Sequence, residues 1–479
     1  MNNSMSLGLY ISVPFCRTKC SYCNFASDVF SKSAYENYVA RLLEDIANSH
    51  QLASELGCAL GSTADSIYLG GGTPSILDAP QLLRIFAAVR GQFTVTPDVE
   101  ITVECAPGTL TPALIETLLL CGVNRVSLGV QSFVDHEAQS VGRLHKRSTV
   151  LAEIGRLRES GLGDISIDLI AGLPHQTAES WAFSVSETIA TGVPHVSVYM
   201  LEVDGDSRLG RELIAGGARY HAHFVPDDDA TADFYQQACE MLASAGIAQY
   251  EISNFARVAP RNRKAQSNQS RHNLKYWTRQ PYLGFGVDAH SMLEPVWGRA
   301  PSPVQAGRSS AAAGGDRNSA FRTAIDRIES ERPEAVRFAT PDSLDAYMDR
   351  EPRTVTPVST QAAIEETFFL GLRLNRGIDL ERLRTGSSLG EGHDSNRATN
   401  AAEKTTLAAQ ATHRRQQEFS CETAPAWDSA IKQSMREGLL EQQGTTVRLT
   451  ARGRLLSNEV FARFLSEETR VGTGHVNPR

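Results

Sequence analysis

Three cysteines near the start of the chain have a spacing that is typical of metal binding. In the segment YISVPFCRTKCSYCNF, Cys16, Cys20 and Cys23 follow the pattern C-x3-C-x2-C, and no fourth cysteine or histidine follows on the same loop. A structural zinc site needs four ligands, so a distant residue would have to supply the fourth. An iron–sulfur cluster held by three thiolates instead keeps one iron open to an exchangeable ligand. The spacing favours the open cluster, with zinc as the alternative.

Polar residues and glycines also mark the ends of other β-rich runs. GGGTPS (70–75) follows one run, Glu104 and Gln131 end two more, and Asp168 lies within another. In a barrel of parallel strands, functional groups collect at the carboxyl ends of the strands. Each feature by itself has an ordinary explanation, namely a tight glycine turn, a salt bridge or a loop cap. Their shared position at one edge of a sheet indicates a binding site.

Alternating strands and helices between residue 7 and about residue 205 would position these groups. Six runs are rich in Val, Ile, Leu and Tyr, as expected of buried parallel strands: 7–13, 66–71, 99–104, 125–131, 164–170 and 195–201. Between them, one helix has Thr111 as its N-cap and ends at Gly122, and another begins near Ser148. Repeated βα units predict an α/β fold with a parallel sheet, either open or closed into a partial barrel.

The chain divides into three predicted regions, which are a core at 1–235, an extension at 236–340 and a C-terminal domain at 341–479. Residues 258–271 and 301–319 are polar and rich in small residues, so we expect loops there. Residues 384–425 lack periodicity and are predicted to form a flexible insertion in the last domain.

The C-terminal domain has the pattern of a winged helix. Its elements are a helix at 360–374, a helix at 427–436, a hairpin that turns at Gly444 and a last helix at 452–465. Winged helices either read DNA or serve as packing domains. We interpret this one as a packing domain, because the chain carries no basic field.

Composition excludes several classes of protein. The chain has 479 residues, 41% of them hydrophobic, and a formal net charge of -8, which does not recommend nucleic acid as a partner. No apolar run is long enough to span a membrane, and the N-terminal MNNSMSLGLYISVPF lacks the features of an export signal. Eight cysteines in a chain of this length do not suggest a disulfide framework. We therefore expect a cytoplasmic protein.

Five segments, in this order, are similar to motifs of the radical S-adenosylmethionine (SAM) superfamily. They are YISVPFCRTKCSYCNF, YLGGGTPSIL, TVECAPGTL, RVSLGVQSF and SIDLIAGLPHQT. Within the superfamily, the sequence resembles the oxygen-independent coproporphyrinogen oxidase group of porphyrin biosynthesis, especially its HemW branch. The resemblance covers most of residues 7–300 and resumes in the C-terminal segments WDSAI and LTARGRLLSNEVFARFL.

The resemblance implies a partial (β/α)6 barrel similar to a TIM barrel, followed by a winged-helix-like α+β domain. It also implies a [4Fe–4S] cluster on Cys16, Cys20 and Cys23, with SAM bound to the open iron through its amino and carboxylate groups. One-electron reduction of such a cluster cleaves SAM to methionine and a 5′-deoxyadenosyl radical. Whether this protein cleaves SAM or only binds it stays open, and so does its status as an enzyme.

By motif position, nine residues resemble SAM-binding residues of the family. Those that resemble the residues around the cluster-bound SAM are Tyr10, Tyr22, Gly71 and Glu104, and those that resemble a second SAM site in the oxidase are Gly72, Thr73, Gln131, Arg143 and Asp168. Without the resemblance, Arg143 would be interpreted as a surface arginine.

Four features favour a HemW-type haem chaperone over an oxidase. The oxidases have the cysteine pattern C-x3-C-x2-C-x-C, whereas this chain has Phe25 in place of the last cysteine. The oxidases also have a long segment before the first strand, where only a few residues stand in this sequence. Ser12 stands where these families usually have histidine. The segments YEISNFA (250–256) and RHNLKYW (271–277) resemble the HemW pattern with its HNxxYW element. The alternatives are an oxygen-independent coproporphyrinogen III oxidase or related radical SAM enzyme, and a zinc-stabilised binding module.

The same resemblance suggests a haem ligand and partners. His272 is the candidate ligand, with Tyr276 and Trp277 offering flat apolar surface to a porphyrin, and His290 is a second candidate. From spacing alone, a loop histidine beside core aromatics is the better interpretation of His272, and only the resemblance favours a haem ligand. The expected partners are haem or a porphyrin, a haem-acceptor protein of the respiratory chain, and an electron donor such as flavodoxin or ferredoxin. Any peripheral membrane association would come through the acceptor only.

Overall fold

The computed structural model describes residues 6–258, 268–296, 323–384 (apart from 324, 326 and 329) and 424–466. They form two compact units. The first consists of Met1–Gln249, Ser253–His272 and Pro281–Pro357, and the second of Tyr250–Ile252, Asn273–Gln280 and Val358–Arg479. The predicted three-part division stays a prediction. The expected loop at 301–319, most of that at 258–271, and the insertion at 384–425 apart from its ends lie outside the described residues.

A 13-stranded sheet forms the core of the first unit. Its strands, in chain order, are β1 (Leu7–Val13), β2 (Cys58–Ala59), β3 (Thr63–Gly71), β4 (Thr94–Cys105), β5 (Arg125–Gln131), β6 (Asp164–Ala171), β7 (His195–Met200), β8 (Ile247–Gln249), β9 (Asn254–Arg257), β10 (Tyr282–Phe285), β11 (His290–Pro295), β12 (Ala335–Ala339) and β13 (Thr354–Val358). All six predicted strands are present, as β1 and β3 to β7.

The central strands of this sheet are parallel. The order is β13-β12-β11-β10-β1-β3-β4-β5-β6-β7-β9-β8, with β2 paired to β11. Each neighbouring pair from β10 to β7 along this order is parallel, whereas β9 and β11 join the ends as antiparallel strands. Since parallel strands end at the same edge, the loops after β1 and β3 to β6 meet there. The predicted α/β fold with a partial barrel of parallel strands is confirmed.

Each central strand has an apolar and a polar face. Every second residue of β1 is apolar and fully buried, namely Leu7, Leu9, Ile11 and Val13. The alternate residue Tyr10 lies on the opposite face and pairs in register with Tyr68 of β3. The residues on that face of β3 are Ser66, Tyr68 and Gly70, so this side of the sheet is polar where a packed TIM barrel would be filled with aliphatic side chains.

Helices run between the strands of the described first unit. They are α1 (Lys32–Ala47), α2 (Ser49–Glu55), α3 (Ala79–Gln92), α4 (Pro112–Leu120), α5 (Asp135–Ser140), α6 (Arg147–Glu159), α7 (Ala178–Thr191), α8 (Arg208–Ala215), α9 (Asp228–Ser244), α10 (Arg271–Trp277) and α11 (Leu344–Met348). Thr111 caps α4 as expected, because its hydroxyl accepts the Leu114 N–H at 3.2 Å. Helix α6 begins at Arg147, one residue before the predicted start.

The second unit has the predicted winged-helix pattern. Its helices and strands are α12 (Thr360–Gly371), β14 (Ile378–Asp379), α13 (Leu380–Arg384), α14 (Ala424–Arg436), β15 (Leu440–Gln443), β16 (Thr446–Leu449), α15 (Ala451–Leu455) and α16 (Ser457–Ala462). The hairpin β15–β16 turns at Gly444, whose φ is 61°. Phe368 stacks on Phe464 with ring centroids 4.4 Å apart, and Trp427 packs beside them. The single predicted last helix is two short helices, because the backbone leaves helical geometry at Leu456 (ψ 29°).

No helix among the described residues is both long and apolar enough to cross a membrane.

Candidate functional site

The cysteine loop follows β1 and is closed at its base by backbone hydrogen bonds. The Cys16 N–H donates to the Asp28 carbonyl at 3.0 Å, and the Asp28 N–H donates to the Pro14 carbonyl at 3.0 Å. Phe15 is fully buried, and its ring stacks on Tyr35 with centroids 4.1 Å apart. The loop is therefore anchored to the sheet on one side and to α1 on the other.

The three predicted thiol ligands lie close enough to influence one another. Burial raises the pKa of Cys16, hydrogen bonds with Thr73 and Ser27 oppose this, and the neighbouring Cys23 and Cys20 add to it. The Thr73 hydroxyl donates to Cys16 Sγ at 3.7 Å, and Cys16 Sγ lies 3.7 Å from Ser27 Oγ. Burial also raises the pKa of Cys23. Metal binding would have to displace protons from these thiols, so it is favoured by rising pH.

Arg143 is a cation beside the same thiols. Burial opposes its charge, but Tyr22 and then the three loop cysteines outweigh burial and raise the pKa of Arg143. Its Nε is buried and has no hydrogen-bond partner in the described part of the chain. The interpretation as an ordinary surface arginine is therefore wrong, because the side chain points its charge at the cysteine loop. A guanidinium in this place offsets part of the negative charge of three thiolates.

The glycine-rich turn after β3 is joined to the start of the cysteine loop. The Gly72 N–H donates to the Val13 carbonyl at 2.8 Å, and the Thr73 N–H donates to the Phe15 carbonyl at 2.7 Å. A Cβ on Gly72 would lie 2.7 Å from the Phe15 carbonyl oxygen and 2.8 Å from that of Val13. Gly71 has a φ of 99°, which disfavours any other residue. The glycines thus allow the turn after β3 to contact the start of the cysteine loop. The sequence also predicts that they let a ligand come close to the backbone.

Glu104 and Asp168 are two carboxyl groups in this edge of the sheet. Burial raises the pKa of Glu104 to about 7, against a hydrogen bond from Tyr68, and the charge of Asp168 adds to the rise. The Tyr68 hydroxyl donates to Glu104 Oε1 at 2.8 Å. Burial also raises the pKa of Asp168, and hydrogen bonds from serine side chains oppose this rise. One of them comes from the Ser127 hydroxyl, which donates to Asp168 Oδ2 at 2.9 Å. Neither carboxyl forms a salt bridge with another described residue, although the charge of Arg143 opposes the rise in the pKa of Asp168.

Gln131 has a strained backbone that directs its side chain. Its φ is 70°, and the pairing of β5 with β6 shifts register between Gly129 and Gln131. A Cβ on Gly129 would lie 2.5 Å from Arg143 Nη2 and 3.1 Å from Gln131 Nε2, so both side chains converge over that glycine. Gln131 Oε1 is buried and accepts no hydrogen bond from any residue that the structure describes. An unpaired acceptor and an unpaired donor at one place are expected where a polar ligand binds.

His272 lies on the polar face of the first unit, at the start of α10. Its ring is buried, stacks on Tyr68 with centroids 5.3 Å apart, and lies 6.3 Å from the ring of Tyr10. Its Nδ1 is 3.1 Å from Ser66 Oγ. The Glu100 carboxylate accepts its backbone N–H at 3.0 Å. His272 therefore belongs to a hydrogen-bonded aromatic stack that reaches Glu104 through Tyr68.

The other residues considered for haem have different surroundings. Trp277 belongs to the second unit, where it is buried and the Arg373 guanidinium covers its ring at 4.2 Å from the centroid. That ring does not present the open apolar surface predicted for it. His290, in the first unit, is exposed over 66% of its side chain, and its Nε2 lies 3.7 Å from the Asp288 carboxylate.

Tyr68 and Ser127 are hydroxyl donors to the two carboxyl groups that were not among the predicted site residues. A signal for both was present, because polar residues stand at every second position of otherwise apolar strands. Tyr68 alternates with Ile67 and Leu69, and Ser127 lies between Val126 and Leu128. In a strand buried on both sides, this alternation marks a polar face.

These donors fit an iron–sulfur cluster with SAM. Three thiols on one loop can each bind a different iron, and Arg143 offsets their charge. Carboxyl and amide groups at this edge of the sheet suit the hydroxyl, amino and carboxylate groups of SAM. Among the residues that the structure describes, no three His, Cys, Asp or Glu side chains converge on a single metal ion.

Comparisons with known proteins agree with this donor set. The family described as "Radical SAM superfamily" matches residues 10–185. The heme chaperone HemW of Escherichia coli (strain K12) is 34% identical over 295 residues, which cover 60% of this chain and 70% of that protein. This chain belongs to the HemW family of the radical SAM superfamily. The resemblance of its motifs to that branch is confirmed.

Similarity to the HemW family extends along almost the whole chain. The heme chaperone HemW of Bacillus subtilis (strain 168) is 28% identical over 459 residues, which cover 96% of this chain and 99% of that protein. Among solved structures, the coproporphyrinogen III oxidase HemN from Escherichia coli has a TM-score of 0.67 at 19% identity, covering 96% of this chain and 90% of its own. At that identity, the likeness to HemN shows a shared fold.

Proposed function

We propose that this protein is a haem chaperone, which binds haem, carries a [4Fe–4S] cluster with SAM, and passes haem to an acceptor protein. The observation that carries the proposal is the similarity to a heme chaperone HemW over 96% of the chain and 99% of that relative. The cysteine loop with Arg143 beside it supports the cofactor part, because it combines three thiols with a compensating cation.

Each residue of the site has a physical role in this proposal. Cys16, Cys20 and Cys23 bind the cluster, and Thr73 donates a hydrogen bond to the first of them. Arg143 lowers the electrostatic cost of placing three thiolates together. When bound, a reduced cluster supplies the electron for SAM cleavage.

The remaining side chains bind and orient SAM. Glu104 and Asp168 accept hydrogen bonds from hydroxyl or ammonium groups once they are ionised. Gln131 offers a buried amide oxygen to which no described group of the protein donates a hydrogen bond. Tyr10, Tyr22, Gly71 and Gly72 complete the proposed SAM-binding set. The division of the nine residues between a first and a second SAM site is part of the proposal.

The haem ligand that we propose is His272, with His290 as the second candidate. Haem iron would reach His272 only if the stack of its ring on Tyr68 opened, because the ring is buried. His290 is accessible without any rearrangement. We therefore expect different rates of haem binding at the two histidines. Binding to His272 should be slow because it needs an opening step, and binding to His290 should be fast.

The proposed partners follow from this role. A haem chaperone needs an acceptor, for which we propose a protein of the respiratory chain. Reduction of the cluster needs an electron donor such as flavodoxin or ferredoxin. A cytoplasmic location fits both partners, and contact with a membrane would come through the acceptor.

A haem titration of the anaerobically reconstituted protein tests the proposal. We expect saturable one-to-one binding with a Soret band, which weakens in His272→Ala. His290→Ala tests the second candidate, and His50→Ala is the matched control, because His50 is an exposed histidine on α2.

The outcomes separate the alternatives. Binding that persists in His272→Ala but weakens in His290→Ala keeps the chaperone and moves the ligand. If haem does not bind, the chaperone proposal is wrong, and the alternative of an oxygen-independent coproporphyrinogen III oxidase is assayed with coproporphyrinogen, SAM and a reductant. Stoichiometric zinc without a coloured cluster would instead indicate the zinc-stabilised module.

A further inference from the structure

Four histidines lie near one another at the surface of the first unit. None of them is among the residues proposed to bind the cluster, SAM or haem. His136 lies in α5, His175 follows β6, and His221 and His223 lie in the segment between α8 and α9. The ring of His136 is perpendicular to that of His175, with centroids 4.7 Å apart. His175 and His221 are the central pair, with ring centroids 5.0 Å apart.

The central pair brings two ring nitrogens together. His175 Nε2 lies 3.2 Å from His221 Nδ1. Two ligands of a tetrahedral ion, at bond lengths of about 2.0–2.1 Å, are about 3.3 Å apart. Two axial ligands on opposite sides of a haem iron would be separated by roughly twice the bond length, or about 4 Å. The observed distance therefore matches neighbouring ligands of one small ion better than two ligands across a porphyrin.

The backbone holds both rings in place. His175 and His221 have φ values of 69° and 62°, which are unfavourable for residues other than glycine. The His175 N–H donates to the Phe224 carbonyl at 3.0 Å. The Glu212 carboxylate accepts the backbone N–H groups of Tyr220 at 2.8 Å and Ala222 at 3.1 Å. A pair of imidazoles on such a braced backbone loses little freedom when it binds a ligand.

We propose that His175 and His221 form a two-histidine site for a borderline divalent transition metal ion such as Zn²⁺. Imidazole nitrogens select this class of ion over Mg²⁺ and Ca²⁺. Within the part of the chain that the structure describes, no third donor converges with the pair, so water completes the coordination and leaves the site open. Without metal, the pair shares one N–H···N hydrogen bond. When the ion binds between the two nitrogens, that proton moves to the other ring nitrogen of the same histidine, so both rings stay neutral.

Zinc binding to the cluster-loaded protein tests the site. In this form Cys16, Cys20 and Cys23 are occupied by the cluster. Exchangeable Zn²⁺ is measured by equilibrium dialysis under anaerobic conditions and therefore reports on other ligands. We expect one saturable equivalent. His175→Asn and His221→Asn are the test variants, since asparagine tolerates the left-handed backbone and removes the imidazole. Each should weaken binding by roughly tenfold or more, because losing either ring removes the chelate. The double variant should be little weaker than either single one.

The control and the contrary outcomes are equally specific. His50→Asn changes an exposed histidine on α2 and should leave zinc affinity unchanged. Absence of saturable zinc binding, or binding that ignores both single substitutions, overturns the proposal. Loss of haem binding in His175→Asn or His221→Asn also overturns it, since the pair would then be a haem ligand. The same dialysis on the Cys16→Ser, Cys20→Ser, Cys23→Ser variant keeps the test independent of cluster loading.

Discussion

Glu104 is a carboxyl group whose surroundings disfavour its charge. Burial raises its pKa to about 7, and Asp168 adds to the rise. A carboxyl whose pKa is higher in the folded state than in the unfolded state destabilises the fold as pH rises from its unfolded pKa to its folded pKa. Such a group is kept at a binding site because its ionised form is needed for a ligand.

Glu104→Gln should therefore stabilise the cofactor-free protein while weakening SAM binding. We expect a gain in the free energy of unfolding of about 1–3 kcal/mol above pH 7. The gain should shrink as pH falls below 7 and vanish near pH 4.5, where the carboxyl is protonated in both states. Urea unfolding at a series of pH values measures this effect. Glu116→Gln, at an exposed position on α4, is the control, and a gain that does not vary with pH would contradict the prediction.

Arg143 lets three thiolates lie together, so its loss should alter the pH at which iron binds. Attraction between Arg143 and the thiols is mutual: it raises the pKa of Arg143 and favours the thiolate forms. In Arg143→Gln, the midpoint of cluster loading against pH should move upward by about one unit. Visible absorbance after reconstitution at each pH measures the loading.

The control for that substitution is Arg147→Gln, which removes an exposed arginine that pairs with Glu187 at 2.7 Å. Loading of this variant should follow that of the unmodified protein. An unchanged midpoint in Arg143→Gln would show that the guanidinium does not act on the thiols.

At the scale of elements, the site depends on two strand-end segments that touch. The Gly72 and Thr73 N–H groups donate to carbonyls at the start of the cysteine loop. This contact joins the segment that carries the thiols to the segment that carries the glycines. Displacing one of them should therefore affect both stability and cluster binding.

Gly72→Ala should be clearly destabilising. The new Cβ would lie 2.7–2.8 Å from backbone oxygens that cannot move without shifting the strand, and we expect a loss of about 1–3 kcal/mol in unfolding free energy. Gly91→Ala in α3 is the matched control, because no atom lies within 4 Å of its Cβ, and it should stabilise by about 0.5–1 kcal/mol. Equal effects of the two substitutions in urea unfolding would contradict the packing argument.

At the scale of the whole molecule, cofactor binding should stabilise the protein. A ligand that binds only the folded state adds stability in proportion to the logarithm of its concentration over its dissociation constant. Reconstitution with iron and sulfide should raise the unfolding midpoint by roughly 5–10 °C. Differential scanning fluorimetry under anaerobic conditions measures the midpoint. In the triple Cys16→Ser, Cys20→Ser, Cys23→Ser variant the increase should be absent, and an increase that survives would show that the added iron binds elsewhere.

The sequence by itself determined the six parallel strands, the cap of α4 and the family. These are properties of short segments, in which runs of apolar residues, a Thr–Pro cap and the cysteine spacing are read without knowledge of distant contacts. The winged-helix pattern of the second unit was predictable for the same reason. The last helix was predicted as continuous because the break at Leu456 has no strong local signal such as proline.

Only the tertiary structure decided what surrounds the predicted residues. Ser66 and His272 are 206 residues apart in the chain, and their contact belongs to the aromatic stack that surrounds the predicted haem-ligand candidate. Arg143 was predicted as a SAM-binding residue from its motif position, and its closeness to the loop cysteines is visible only in the structure. The proximity of His175 and His221 had no counterpart in the sequence pattern. Burial and electrostatic coupling depend on which strands and loops are neighbours in space, and pairing between distant segments is set by the whole sheet.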